Sequence, residues 1–298
     1  MNRTNLFRVS PGPHVRSGLT TGSVMYDVLL ALLPAAVFGV GRFGMRAFLI
    51  LAAAVLSAVS MEYVFDCLTG KGNTIRDGSA AVTGLLLGLS LPPDVPMYIP
   101  YIGAAVAVVL VKGVFGGLGR NRVNPALAGR CLLAMLFTGA MTAFYRESGG
   151  GALTCSGTEL VRMLIGTKSA VIGGSVVALL AGGAWLLASG HISWHIPTAV
   201  TLSWFVLSLL VDGASAALSE TLFFLAGGGM LAAFFMATDP VTSPVTDLGR
   251  GIFGVIVGAA AFLLGKRLGP AEAVCCAVLL ANLTVPLLDR CTVPKPLD

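Results

Sequence analysis

Eight carboxylates and one lysine fall inside or beside strongly apolar tracts of this chain: Asp27, Glu62, Asp66, Asp77, Lys112, Asp212, Asp239, Glu272 and Asp289. Charge held away from water is costly, so each is by default a candidate for a functional role. Asp66, Asp212 and Asp289 stand at the ends of apolar runs and read as interfacial. Lys112 lies about two turns before Gly119 and reads as a side chain that snorkels to the membrane surface. Glu62 and Asp239 have no such explanation. Asp239, within "FFMATDPVTSP", has the chemistry to accept hydrogen bonds or bind a cation, and its residue type suits equally a cap for whatever follows Pro240.

A different chemistry is offered by residues 148–160, "SGGGALTCSGTEL", where glycines precede three hydroxyls, Thr154, Ser156 and Thr158, and then an acid. Such composition suits an exposed turn, and it also presents nucleophilic oxygens on small-residue backbone. His191 and His195 flank Trp194 at a spacing that could ligate a metal. With no carboxylate or Cys beside them they fit an aromatic interfacial belt better, and no metal site is expected. The six cysteines form no CxxC pair or His/Cys cluster of zinc or iron–sulfur spacing, and read as small buried residues.

The elements that must position these residues are membrane spans. The 298 residues are 56% hydrophobic and 11% charged, with mean hydropathy +0.88; soluble domains carry about 25% charged residues. Apolar tracts near 25–41, 46–66, 78–91, 97–117, 125–144, 169–188, 195–212, 221–238, 250–268 and 271–289 suit helices crossing a bilayer. An all-α polytopic membrane protein of about ten spans is expected, in contact with lipid. Continuous apolar runs exclude a β-barrel, and nothing resembles a nucleic-acid platform. Residues 1–24 are too polar for a signal peptide and read as a cytoplasmic tail. The net charge of +5 bears on topology. With the N-terminus cytoplasmic, eleven Lys/Arg residues fall inside, Arg130 among them, and seven outside.

The third and eighth tracts are both small-residue helices ending in Pro/Asp clusters, "LPPDVP" and "ATDPVTSP". Each is followed by one apolar span, a Gly/basic turn and a helix opened by Pro-Ala, as in "GGLGRNRVNPALAGR" and "GKRLGPAEAVCC". This ordered repeat gives units of 25–144 and 169–289, separated by an outer-face loop at 145–168 and followed by a tail at 290–298. Five spans per unit would invert the second unit, and matched broken helices point to a binding site between the units.

The blocks "SPGPHVRSGLTTGSVMYDVLLALLPAAVFGV", "DGSAAVTGLLLGLSLPP", "VFGGLGRNRVNPALAGR", "FFMATDPVTSPVTDLGRGIFG" and "LLANLTVPLLDR" resemble the D subunit of the Rnf electron-transport complex. That family is related to the B subunit of the sodium-pumping NADH:quinone reductase. The resemblance runs from about residue 10 to residue 292. It implies two inverted five-helix repeats akin to the urea-transporter fold, in a bacterial or archaeal cytoplasmic membrane. It implies FMN joined through its phosphate to a threonine hydroxyl by a separate flavin transferase, and in some members riboflavin held without a covalent bond. It also implies electron transfer between ferredoxin and NAD, coupled to sodium or proton movement, with partner subunits supplying the iron–sulfur and nucleotide chemistry. The flavinylated threonine falls on Thr158. Here the local sequence is "CSGT" where the family has S/T-G-A-T, so Cys155 and Gly157 replace a hydroxyl and an alanine. Arg162, one turn on, is expected to pair with the phosphate. Asn124, Thr238, Asp239 and Thr242, on the facing broken elements, are the expected hydrogen-bonding groups of a second flavin or of an ion path. A small-solute transporter or channel of the same architecture, without a redox centre, is the competing reading, because fold alone does not decide between them.

Overall fold

The computed structural model describes residues 20–70, 74–113, 121–147, 157–167 and 169–293. Most of the N-terminal tail, the stretch 148–156 and residues 294–298 of the C-terminal tail therefore lie outside the described residues. Among the described residues the protein is all-helical, without strands. Two long helices open it, α1 (Thr21–Phe43) and α2 (Met45–Thr69), followed by the short α3 (Ser79–Ser90). Next come α4 (Tyr98–Ala105), which widens into a π-helical segment over Val106–Gly113, α5 (Pro125–Leu136), α6 (Thr138–Glu147) and α7 (Gly157–Ile165). The second half runs α8 (Val176–Ala188), α9 (His195–Val211), α10 (Ala214–Phe224), α11 (Asp247–Gly265), α12 (Pro270–Asn282) and α13 (Val285–Thr292). Two π-helical segments, Leu225–Gly229 and Ala232–Met236, follow α10.

The helices α1, α2 and α11 are each long and apolar enough to cross a membrane, and the bent pair α12–α13 passes as one broken span. Their outward faces stay apolar, as does that of α9: Val37, Leu210 and Leu263 are all about 70% exposed. Lipid tails, not water, satisfy such a surface, and the chain is a membrane protein. The stretch 145–168, expected as a loop, contains a helix, α7, that begins at Gly157. The sixth tract, expected from residue 169, becomes helical only at Val176, and the eighth begins earlier than expected, at Ala214.

Without a water-driven hydrophobic effect between spans, close contact relies on small residues. Gly84 of α3 sits on the Ala54 backbone of α2, Gly254 and Gly258 of α11 on the Ile196 and Val200 carbonyls of α9, and Gly182 of α8 on the Ala31 carbonyl of α1. Helix α1 thus lies against α8, and α5 lies against α12. These two crossings join the halves of the chain.

The breaks have identifiable causes. Pro125 and Pro270 each occupy the first turn of their helix, where the missing N–H costs nothing. The bend of 51° between α12 and α13 precedes Pro286, whose ring cannot tolerate helical backbone four residues before it. Between α5 and α6, Phe137 leaves helical geometry (φ −125°, ψ 43°), and the Thr138 hydroxyl donates to the Ala134 carbonyl at 2.7 Å. Such back-bonding bends helices. Gly228, at φ +112°, supplies the left-handed step that breaks the chain between α10 and α11.

A buried ion pair locks the α5–α12 crossing. Arg130 Nη2 donates to Glu272 Oε1 at 2.9 Å, and Arg130 is 1% exposed. This corrects the assignment of Arg130 to the inner surface: it is a core residue, and the inside excess of basic residues is smaller than the sequence count.

Two outcomes are expected from these contacts. A Cβ at Gly182 would overlap the Ala31 carbonyl, whereas one at Gly251 meets nothing. Gly182→Ala should therefore lower the melting temperature of the detergent-solubilised protein by several degrees, and Gly251→Ala should leave it unchanged or raise it slightly. Removing one member of the buried pair strands the other at a cost of about 3–5 kcal/mol. Arg130→Met should thus abolish a monodisperse size-exclusion peak that the double change Arg130→Met/Glu272→Met largely restores.

Candidate functional site

Asn124, Thr238 and Asp239 line one cavity between the halves, and Thr242 reaches it through Asp239. Asn124 precedes Pro125 and is therefore held extended (φ −66°, ψ 123°). In that conformation it caps α5: its Oδ1 accepts from the N–H groups of Ala126 and Leu127, at 3.0 and 3.4 Å. Its Nδ2 donates to the Met236 carbonyl at 3.3 Å, tying the start of α5 to the end of the second π segment. Three residues further along, Asp239 closes a turn. Its Oδ1 accepts from Val241 N–H at 3.2 Å and its Oδ2 from the Thr242 hydroxyl at 3.3 Å, while its carbonyl accepts from Thr242 and Ser243 N–H. The turn-capping role thus accounts for much of its bonding. The Thr238 hydroxyl donates to the Phe234 carbonyl at 2.6 Å.

The cavity has a volume of about 80 Å³. Ser79, Lys112, Asn121, Asn124, Thr238, Asp239 and His191 are among its lining residues. His191 pairs with Asp27 at 2.7 Å and His195 approaches Asp247 at 3.7 Å, so the two histidines serve different carboxylates. Trp194 stacks on His195 with a centroid separation of 4.3 Å and is 60% exposed.

Behind the Lys112 wall lies a polar network that sequence reasoning only half saw. Lys112 does not snorkel. It is 5% exposed, and its Nζ contacts Glu62 Oε1 and Ser79 Oγ, both at 2.5 Å. The π-helical winding of Val106–Gly113 carries it; π turns recur at functional sites. Thr74 extends the network, its hydroxyl donating to Glu62 at 2.5 Å and to Asp66 at 2.8 Å. Asp66, expected at the interface, is instead 7% exposed and also accepts from Thr74 N–H at 2.9 Å. Asp77 accepts from the Ser79 hydroxyl and, at 2.8 Å, from its N–H. Glu62 Oε2 is buried without a hydrogen-bond partner among the described residues. By contrast Asp212 pairs with Lys266 at 2.6 Å, and Asp289 accepts from Val245 N–H at 3.0 Å.

Thr158 and Arg162 belong to a second location. Both are exposed on α7, four residues apart and so on one face. Helix α7 packs on α8 and α10, and the Thr167 carbonyl just beyond it receives Arg42 from the end of α1. The cavity meets α1 at Val24, Met25 and Val28, near its other end. From Val28 to Arg42 is about 21 Å along a helix. The two groups of candidates thus lie toward opposite ends of a membrane-length helix. Sequence reasoning also missed the meeting of Cys131 with Cys276, whose sulfurs are 3.5 Å apart. The available signal was register: each follows by six residues the proline that opens its helix.

The model of the NQR2, RnfD, RnfE family matches residues 8–298. The chain is 36% identical to the D subunit of the proton-translocating ferredoxin:NAD(+) oxidoreductase complex of Clostridium ljungdahlii, over 98% of this chain and 96% of the relative. It is 37% identical to the D subunit of the Na(+)-translocating ferredoxin:NAD(+) oxidoreductase complex of Acetobacterium woodii, over 98% and 95% respectively. A third relative, the D subunit of the ion-translocating oxidoreductase complex of Shewanella amazonensis, is 33% identical over 97% of each chain. With a match that spans almost its whole length, the chain belongs to the NQR2, RnfD, RnfE family.

Proposed function

We propose that this chain is the D subunit of an Rnf-type ferredoxin:NAD oxidoreductase complex, a membrane flavoprotein that relays electrons through FMN on Thr158 and helps couple them to sodium or proton movement. The observation that carries the reading is the end-to-end likeness to chains named as D subunits of such complexes, at 33–37% identity. The protein is not catalytic alone. Its partners are the other membrane and peripheral subunits, surrounding lipid, and a flavin transferase.

The residues of α7 fit a phosphoester. Thr158 is the second residue of a nine-residue helix and its side chain is exposed, so a transferase has access to the hydroxyl that would form the bond. The first N–H groups of a helix lack helical acceptors, and the helix dipole favours an anion there. Arg162, on the same face, is placed by register to add a charge-assisted hydrogen bond. Bound FMN would supply electron-transfer chemistry that none of the protein's own side chains offers.

For the cavity we favour the ion path over a second flavin such as riboflavin. Room for about 80 Å³ suits a few waters or a hydrated cation. Its walls carry Lys112 and Asp239, with Asn124 and Thr238 to offer hydrogen bonds. We also read the fold as ten spans in two inverted repeats, α1–α6 and α8–α13, in a bacterial or archaeal cytoplasmic membrane with the N-terminus inside. The paired Pro-initiated, broken helices α5–α6 and α12–α13 support this, as do the crossings of α1 with α8 and α5 with α12. In that orientation α7 faces outward and the cavity opens toward the cytoplasm.

Protein co-expressed with a flavin transferase should give a band whose flavin fluorescence survives SDS. Thr158→Ala should abolish it, while alanine at Thr154 or Ser156 should not. A colourless wild-type band would remove the covalent flavin and leave the family membership standing. Asp239→Ala should leave the fluorescent band intact but lower ion uptake by the complex in vesicles several-fold per electron transferred. Uptake equal to wild type would refute the ion path through this cavity.

A further inference from the structure

We propose that Cys131 and Cys276 form a redox-modifiable thiol pair, whose oxidation to a disulfide bolts the two halves of the protein together. The sulfurs are 3.5 Å apart, although 145 residues separate them in the chain. Closing to a disulfide bond of about 2.05 Å requires an approach of about 1.5 Å, within the reach of side-chain rotation and small helix shifts. Each cysteine lies six residues beyond the proline that starts its helix, so each is about 9 Å into α5 or α12. The bond would therefore tie equivalent points of the two helices at the crossing where the halves meet. Both side chains are half-buried, so a small oxidant has access, whereas neighbouring Cys275 is buried.

The chemistry needs a two-electron oxidant, and a hydroperoxide of the bilayer or its surroundings is the class that fits. One sulfur attacks the peroxide, an S–O bond forms as the O–O bond breaks, and an alcohol or water leaves. The second sulfur then displaces the sulfenic oxygen as water, forming the S–S bond. Two thiols lose two protons and two electrons, and the peroxide takes up both. A thiol-disulfide reductant reverses the step.

The consequence follows from what lies beside the pair. Arg130 and Glu272, next to it on the same two helices, form the buried ion pair, and Asn124 at the start of α5 holds the edge of the cavity. A disulfide would stop α5 from moving against α12 and so hold the cavity in one shape. Oxidation then acts as a brake on any turnover that reshapes the cavity. This functional part rests on the ion path proposed above, but the cross-link does not.

The experiment uses the intact complex in native membranes, with a protease site inserted between residues 148 and 156 to cut the chain between the halves. After treatment with hydrogen peroxide and then protease, the halves should stay joined on a non-reducing gel and separate with dithiothreitol. Cys131→Ser and Cys276→Ser should each abolish the joined band, and Cys275→Ser should keep it. Halves that separate without reductant, or a joined band that persists in Cys276→Ser, overturn the pairing. Peroxide should also lower ferredoxin-driven ion uptake several-fold, reversibly with dithiothreitol, in wild type but not in Cys131→Ser. Uptake that falls equally in both, or in neither, removes the brake while leaving the cross-link standing. SDS-stable flavin fluorescence, followed in parallel, reports on Thr158 independently of either result.

Discussion

Two ion pairs held away from water, Glu62 with Lys112 and Arg130 with Glu272, fix where four of the helical elements meet. Glu62 and Lys112 lie on different helices, 50 residues apart, and both are at most 5% exposed. Arg130 and Glu272 come from opposite halves of the protein. An isolated ion at such depth would cost several kcal/mol, so neither partner of a pair is tolerable without the other. The first pair fixes α2 against the π segment after α4. The second fixes α5 against α12. Neither pair is fully satisfied: Glu62 Oε2 and Arg130 Nε and Nη1 have no partner among the described residues. Unspent hydrogen-bonding capacity of this kind is expensive to hold buried, and it marks these regions as more than scaffold.

Around these pairs the helices are assembled by close approach rather than by bulk. Glycines on α3, α8 and α11 let side-chain-free backbone sit on neighbouring carbonyls. The same economy allows the breaks. Chain that leaves helical geometry at membrane depth must be buried in protein or line a cavity. The turn around Asp239 does both, with its carbonyl and carboxylate consuming the local N–H groups and its cavity-facing side shared with Asn124 and Lys112. Helix α7 stands apart from this. It carries Thr158 and Arg162 exposed, toward the end of α1 opposite the cavity.

Sequence alone was a good guide wherever the physics is local. Apolar runs gave the long helices α1, α2 and α11 because a bilayer demands length and apolarity. Pro125 and Pro270 announced helix starts through ring sterics, whereas the bend before Pro286 fell inside a tract read as one continuous span. Asp239 before Pro240 read as a cap, and its side-chain oxygens do bind nearby donors in a turn, while the cap made by Asn124 was not read. The family was legible too, because long blocks around those same breaks are distinctive. Thr158 stands out as a flavin candidate only through that resemblance, since a Gly/Ser/Thr stretch by itself says no more than exposure.

What only the tertiary structure decided is who meets whom across long separations. Lys112 read as a surface lysine because its distance from Gly119 is a local quantity, yet its partner Glu62 is on another helix. Arg130 read as a cytoplasmic anchor because basic residues usually are, yet Glu272 draws it into the core. Cys131 and Cys276 read as two unrelated small residues, because nothing in one helix reports the register of another. Hydropathy, proline and glycine act on the backbone within a few residues of themselves, so they can be read from the chain. Charge compensation and sulfur contact depend on how α2 packs on the α4 segment and how α5 crosses α12, and that packing exists only once the whole chain has folded.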